Sequence, residues 1–357
     1  MRVFINCLSV TNEAGIGRYS RTLLSGLAQT GVADRIFLYV RRDSDLAFLR
    51  LSKNFDVVAS ASPDANRWLL EYTDLPRAVE RVEADAYFNP DFTVSPLVKC
   101  ARRAATVHDL IPFTHPRSLS FRARHLYRHF IPITARYATR IIVDSRFTLG
   151  RLADRFPDAR GRAVVIAPPL PEAFVRATRV PAEPHPFEAE GLKPRDKYLL
   201  YVGSAESRKN LPRLMKAVEK LTRTGKFDGD VVLVGHHRCW REFEHQISGA
   251  TDEELSWLYS NAVAVVLVSL EEGFGYPVAE GFCFGAPAVV TRDSAMGEIC
   301  PEGSVAVDPL KVDDIARGIV EVQVRRDELQ AAVAARFSAL NYAPEVQAQK
   351  VLEAVTG

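Results

Sequence analysis

The stretch that most narrows the fold is residues 262–268, seven apolar residues in a row. Ser269-Leu270-Glu271-Glu272-Gly273-Phe274-Gly275-Tyr276-Pro277 follows at once. A short unbroken run rich in valine reads as a strand covered on both faces, as in a parallel sheet. Pro277 suits the first turn of a helix, where its missing N–H costs nothing. Gly285 and Pro287 read as that helix's stop, and Val289-Val290 as the next strand. The unit is thus strand, glycine loop, short helix, strand. Its glycines admit a close ligand, and the open N–H groups of the helix start favour an anion. Glu272 stands just before the glycine turn, and Glu280 is expected in the first helical turn, both facing a polar ligand. A glutamate there also steadies a helix without any function, so the rest of the chain has to decide.

Upstream, Tyr198–Val202 reads as a strand, Gly203-Ser204-Ala205-Glu206-Ser207-Arg208-Lys209-Asn210 as its loop, and 211–222 as a helix. Adjacent Arg208 and Lys209 in a strand-to-helix loop suit a diphosphate, one as a planar fork and the other as a point charge. Val231-Val232-Leu233-Val234-Gly235 is the next strand, with a glycine end, and Thr251 is a plausible N-cap for a helix at Asp252. Asp228-Gly229-Asp230 precedes a strand and reads as a turn rather than a metal site, and no other cluster has metal-ligand spacing.

The first half repeats the strand–loop–helix order. Residues 3–8 form a strand, and Gly15-Ile16-Gly17-Arg18-Tyr19-Ser20 is a second glycine loop entering an amphipathic helix. Ser20 stands where a dinucleotide fingerprint needs glycine, and the next strand ends in Arg41-Arg42 rather than an acid, which weakens a nicotinamide reading. Val107-His108-Asp109-Leu110 places His108 at a strand's carboxyl end, where ligands of open α/β sheets bind. A structural histidine is the competing reading. Residues 121–140 carry five arginines and two histidines among aromatic and aliphatic side chains. Such a helix either lies on an anionic lipid surface or covers the core with arginine stems. Pro132 is expected to kink or split it. Nucleic acid is not expected, because no binding motif accompanies the charge.

At 357 residues two domains are expected. The proline-rich stretch 168–194 marks the boundary, giving domains 1–170 and 171–340 and a C-terminal helix, 341–357, returning to the first. The net charge of +2 excludes neither anionic ligands nor a membrane surface. Five scattered cysteines without CxxC spacing read as buried reduced thiols in a cytoplasmic protein. The opening Met1-Arg2-Val3-Phe4-Ile5-Asn6 reads as a strand rather than a leader, and no stretch reaches membrane-spanning length.

Taken together, the chain resembles the retaining family-4 glycosyltransferases of the two-Rossmann-domain (GT-B) type, over about residues 1–340. The resemblance rests on Glu272 and Glu280 with Gly-Phe-Gly-Tyr-Pro-Val-Ala between them, on Gly15-Ile16-Gly17, on Val107-His108-Asp109-Leu110, on Val143-Asp144-Ser145-Arg146-Phe147-Thr148, and on Tyr201-Val202-Gly203-Ser204 through Arg208-Lys209-Asn210-Leu211-Pro212. It implies an α/β fold of two Rossmann-like domains whose parallel sheets face across a cleft. It implies that Arg208 and Lys209 grip the donor diphosphate, Glu280 binds the ribose, and Glu272 lies near the sugar hydroxyls. The amides around Phe274, Gly275 and Tyr276, with Ser204, Gly15 and Gly17, would hold sugar and phosphate. His108 would sit by the transferred sugar, and Gly235, His236 and His237 near the base. The implied activity is transfer of a hexose, mannose from GDP-mannose being one candidate, to a glycan or lipid-linked acceptor in polysaccharide or lipopolysaccharide assembly. No metal and no cofactor is expected beyond the donor itself. The cytoplasm is the expected compartment, with the inner membrane face as a place of work. A nucleotide-sugar epimerase and a non-catalytic sugar-nucleotide binder are the alternatives. Ala167-Pro168-Pro169-Leu170 and His236-His237-Arg238 depart from the family pattern and leave linker and base open.

Overall fold

The computed structural model describes residues 1–12, 15–31, 35–50, 53–176, 197–235 and 245–357. It divides into two compact units. One comprises Met1–Thr114, Ser120–Pro171 and Asn341–Gly357; the other comprises His115–Leu119 and Glu172–Leu340. The division falls within a residue of positions 170 and 340, and the final segment clusters with the first unit. The excursion of His115–Leu119 was not foreseen.

The first unit holds strands β1 (Arg2–Asn6), β2 (Arg35–Val40), β3 (Phe55–Ala59), β4 (Ala86–Asn89), β5 (Arg102–Val107), β6 (Arg140–Val143) and β7 (Ala163–Val165). They pair in parallel in the order β3-β2-β1-β4-β5-β6-β7. Apolar side chains cover both faces. One cluster joins Ile5, Leu23, Leu38 and Phe88 to Ala348, Val351 and Leu352 of the last helix, Pro344–Thr356. The other joins Phe4, Tyr39, Tyr87, Val107, Ile131 and Ile141. Burial on both faces explains why these strands read as apolar runs rather than as alternating ones.

The second unit holds β8 (Tyr198–Val202), β9 (Asp230–Val234), β10 (Gln246–Ile247), β11 (Ala264–Leu267), β12 (Ala288–Thr291) and β13 (Ser304–Val307). They pair in parallel in the order β10-β9-β8-β11-β12-β13. In both sheets the strand order reverses beside the unit's first strand, between β1 and β4 and between β8 and β11. Loops leaving the carboxyl ends at such a reversal splay apart and open a ligand crevice.

Pro132 neither splits nor ends its helix, which runs Phe121–Tyr137 with the proline inside. Proline removes one intrahelical hydrogen bond, but tertiary packing holds the element. Phe130, Ile131, Thr134 and Ala135 are buried, and the Thr134 hydroxyl donates to the Phe92 carbonyl at 2.6 Å while accepting from the Val94 amide at 2.9 Å. Of the four cysteines among the described residues, Cys7 and Cys300 are buried, while Cys100 and Cys283 are only partly so. The expectation of uniformly buried thiols is corrected accordingly. None of the helices in the described residues is long and apolar enough to cross a membrane.

Candidate active site

The loops after β8 and β11 carry the principal charge cluster. After β8 the chain makes one tight turn, Ser207–Lys209, reverses at Asn210, and enters the helix Leu211–Arg223. The Leu270 amide donates to the Arg208 carbonyl at 2.7 Å, so the two loops are joined through backbone. Side chains complete the join. Arg208 Nη1 lies 2.8 Å from Glu272 Oε2 and donates to the Glu271 carbonyl at 3.0 Å. Lys209 Nζ lies 2.6 Å from Glu272 Oε1. Arg208 Nε also donates to Glu206 Oε2 at 2.8 Å, and the Ser204 hydroxyl donates to Glu206 Oε1 at 2.9 Å.

These charges are sheltered from water. Glu272 is buried, and burial alone would raise its pKa. The adjacent Lys209 and Arg208 outweigh that and push it down to about 2. It is therefore an anion at neutral pH. Glu206 is the most exposed member, with 33% of its side-chain surface open. Among the described residues, the two cations Arg208 and Lys209 face the two carboxylates Glu206 and Glu272, so these four side chains together carry no net charge.

The glycine turn then sets the neighbouring helix, Tyr276–Cys283. Gly275 is its N-cap with φ 109°, a conformation strained for any other residue, and a Cβ there would also come within 2.5 Å of Met296 Cγ. Phe274 is buried and meets the Tyr276 ring edge-on at 5.6 Å between centroids. Glu280 lies in the second turn, not the first as expected, because the helix starts at Tyr276. It is buried, and its Oε2 accepts a 2.7 Å hydrogen bond from the Tyr259 hydroxyl. Gly235 closes β9, its amide donating to the Ile247 carbonyl. His236, His237 and Arg238 lie outside the described residues.

The remaining expected site residues belong to the first unit. Gly15 and Gly17 do not form a loop, because the helix Gly15–Gln29 already begins at the first of them. Gly17 is buried in its first turn, and a Cβ there would come within 1.8 Å of the Asn12 carbonyl oxygen. This glycine lets the chain's own backbone approach the helix. His108 follows β5, and both of its ring nitrogens are engaged. Nδ1 lies 2.8 Å from Asp144 Oδ2, and Nε2 lies 2.9 Å from the Pro90 carbonyl. The ring is packed edge-on against Tyr19 and Phe92. Burial would lower the imidazole's pKa, but Asp144 beside it prevails and it is pushed up to about 9. A carbonyl only accepts, so Nε2 carries a hydrogen. The basic nitrogen, Nδ1, is the one covered by Asp144.

Sequence reasoning gave no role to Asp144, Glu206 or Asn210. Asp144 was findable. Val107 and Val143 are register partners of neighbouring strands, so the residues that follow them, His108 and Asp144, emerge side by side. Among the described residues no group of three or more His, Cys, Asp and Glu is arranged to hold a metal ion.

Comparison with known proteins bears on the fold and on what the chain is similar to. Residues 184–334 match the family model described as glycosyl transferases group 1. The chain is 25% identical over 347 aligned positions, 86% of each protein, to the O-antigen chain mannosyltransferase B of Escherichia coli. It is 23% identical over 217 positions, 57% of this chain and 56% of the other, to the O-antigen chain mannosyltransferase RfbU of Salmonella typhimurium. Among solved structures, it superposes on WaaG, a glycosyltransferase involved in lipopolysaccharide biosynthesis, with TM-score 0.70 and 16% identity over the whole of both chains. Sucrose-phosphate synthase of Thermosynechococcus elongatus gives 0.74 at 16% identity, covering 99% of this chain and 98% of that one. Anabaena HepE in complex with UDP-glucose gives 0.67 at 13%, covering 99% of each chain. At these identities the structural matches establish the fold, two Rossmann-like parallel-sheet domains of GT-B type.

Proposed function

We propose that the chain is a retaining hexosyltransferase of the group 1 glycosyltransferases, a reading supported by the family model that matches residues 184–334 and by the mannosyltransferase relatives. In this reading it moves mannose from GDP-mannose to a glycan or lipid-linked acceptor in O-antigen or related polysaccharide assembly. The observation that carries the reading is the Arg208–Lys209–Glu272 cluster at the strand-order reversal of the second unit. Two cations held beside a strand reversal are suited to the charge that develops on a leaving nucleoside diphosphate. The mannosyl relatives favour mannose as the sugar.

In the proposed reaction the bond from the sugar's anomeric carbon to the phosphate oxygen breaks on the same face as the bond to the acceptor oxygen forms. The acceptor proton passes to the departing phosphate, so no carboxylate nucleophile is required. Arg208 and Lys209 stabilise the phosphate charge as it grows. Glu272 holds both cations and remains ionised, placed to accept from sugar hydroxyls. Because the resting cluster is neutral, the diphosphate gains a net attraction only by taking the place of Glu206 on Arg208. With that exchange the site meets phosphate charge through side chains, without a divalent metal. His108, with its one basic nitrogen covered, acts as a fixed cation rather than as a proton acceptor.

The direct experiment mixes the protein with GDP-mannose, UDP-glucose or dTDP-sugars and a glycan acceptor. Nucleoside diphosphate release and the anomeric configuration of the product are the readouts. Donor-dependent release with retained configuration is expected, and it should persist in excess chelator. Inversion would remove the front-face route, and a strict metal requirement would remove the charge argument.

The helix Phe121–Tyr137 adds an anionic-membrane contact to the proposal, with work at the inner face of the cytoplasmic membrane. Residues 121–140 contain five arginines and no carboxylate, and Phe121 is 72% exposed at the helix start. Replacing Arg122, Arg124 and Arg128 by glutamine should cut binding to phosphatidylglycerol vesicles several-fold. Unchanged sedimentation with vesicles would leave those arginines a solvated face.

A further inference from the structure

We infer that Asn210 is the positioning residue of the diphosphate site, fixing the spacing between the Arg208–Lys209 pair and Glu272. This rests on the reading of that cluster as a phosphate site and assigns the residue that assembles it.

Asn210 follows the two cations directly and adopts φ 60°, ψ 22°, the left-handed conformation that asparagine tolerates better than other residues bearing a side chain. That conformation lets the chain turn from the cation-bearing loop into the helix Leu211–Arg223. The side chain is fully engaged although the residue is 1% exposed. Nδ2 donates to the Val268 carbonyl at 3.0 Å and to the Pro309 carbonyl at 2.7 Å, and Oδ1 accepts from Arg213 Nη1 at 2.8 Å. The amide orientation is unambiguous, since both carbonyls can only accept and the guanidinium can only donate.

These partners belong to different loops. Val268 is the residue after β11, four positions before Glu272, and Pro309 follows β13. One amide group therefore links the carboxyl-end loops of β8, β11 and β13. No other residue type supplies both properties at once. Glycine takes the left-handed backbone without strain but leaves two carbonyls with no donor. Aspartate keeps the shape but turns a carboxylate oxygen toward those carbonyls.

The test measures GDP binding by calorimetry, and donor KM and kcat, in the full-length protein. Asn210→Gly and Asn210→Asp are compared with Lys209→Ala. Both Asn210 variants should raise the GDP Kd and the donor KM by about tenfold or more with a smaller change in kcat. Adding Lys209→Ala to Asn210→Gly should cost less than the separate effects combined, because the two residues act on one phosphate group. If Asn210→Asp does not fold, Asn210→Gly, whose backbone is compatible, decides alone. A lowered melting temperature with unchanged Kd and KM would make Asn210 a purely structural residue and overturn the inference. If Lys209→Ala itself binds GDP like the wild type, the phosphate reading fails first and the inference falls with it.

Discussion

Two carboxylates in this molecule are both buried beside cations, yet their proton affinities move in opposite directions. Glu272 in the second unit is pushed down to about 2, whereas Asp144 in the first is raised above the ordinary aspartate value. Burial raises both. What differs is the compensation. Glu272 meets two basic side chains, Lys209 at 2.6 Å and Arg208 at 2.8 Å, and they exceed the burial penalty. Among the described residues Asp144 meets one titratable partner, His108 at 2.8 Å, which does not, and its Oδ1 is buried without a hydrogen bond. The second unit therefore keeps Glu272 firmly ionised between its two basic neighbours. The first keeps a pair in which a carboxylate holds an imidazole in place through a 2.8 Å hydrogen bond.

The largest expected effect breaks the stronger cluster. Lys209→Ala removes one of the two cations on Glu272 and one of the two proposed for the diphosphate. Loss of a buried, charge-assisted contact made in the transition state costs about 3–4 kcal/mol, or on the order of a hundred- to thousand-fold in kcat/KM. Circular dichroism should remain native. Turnover within tenfold of the wild type would show that the cluster is structural and not part of the chemistry.

This contrast also shows what the chain discloses as sequence and what it withholds. Strands buried on both faces leave a direct trace, an unbroken apolar run, and so β5, β8 and β11 and the loops after them were legible. Arg208, Lys209 and Glu272 could be named because each follows such a run. Local backbone was harder to read. Gly15 and Gly17 read as a loop leading into a helix, but the structure builds both into the helix's first turn; at Gly17, a glycine that admits the chain's own Asn12 carbonyl looks the same in sequence as one that admits phosphate. Glu280 was placed a turn early because no N-cap side chain marks the helix start at Tyr276. Asp144 was given no role because its partner lies 36 positions away, although parallel register between β5 and β6 brings the two together.

Acid and alkali should separate the two units. Glu272 has a lowered folded-state pKa, so its contribution to stability is present above about pH 4.5 and is lost as pH falls toward 2. His108 has a raised one, so its contribution is complete below about pH 6.5 and is lost as pH rises through about 9. The raised Asp144 acts in the same direction, its protonated form being favoured at low pH and surrendered on alkalinisation. Asp144→Asn should flatten the fall in melting temperature between pH 6.5 and 9.5. The expected difference is a few degrees, since a kcal/mol shifts a domain of this size by about 2–4 °C. Glu272→Gln should leave that alkaline limb untouched and flatten the acid limb instead. Identical alkaline slopes in Asp144→Asn and the wild type would show that the His108–Asp144 pair carries no net proton linkage.

The smallest effect sharpens the comparison within the stronger cluster. Glu206 is its most exposed charge, bonded to Arg208 Nε and to the Ser204 hydroxyl. If it is the carboxylate that yields to the diphosphate, then Glu206→Gln turns a neutral cluster into one of net charge +1 while keeping a side chain that accepts from Ser204. Donor KM should then fall by about two- to fivefold at low salt, the scale of a partly exposed ion pair, and the advantage should shrink as salt screens it. A rise in donor KM would reverse the assignment, because Glu206 would then be holding Arg208 in its working orientation rather than competing for it. The salt series separates the two outcomes, since lost orientation persists at high ionic strength and lost competition does not.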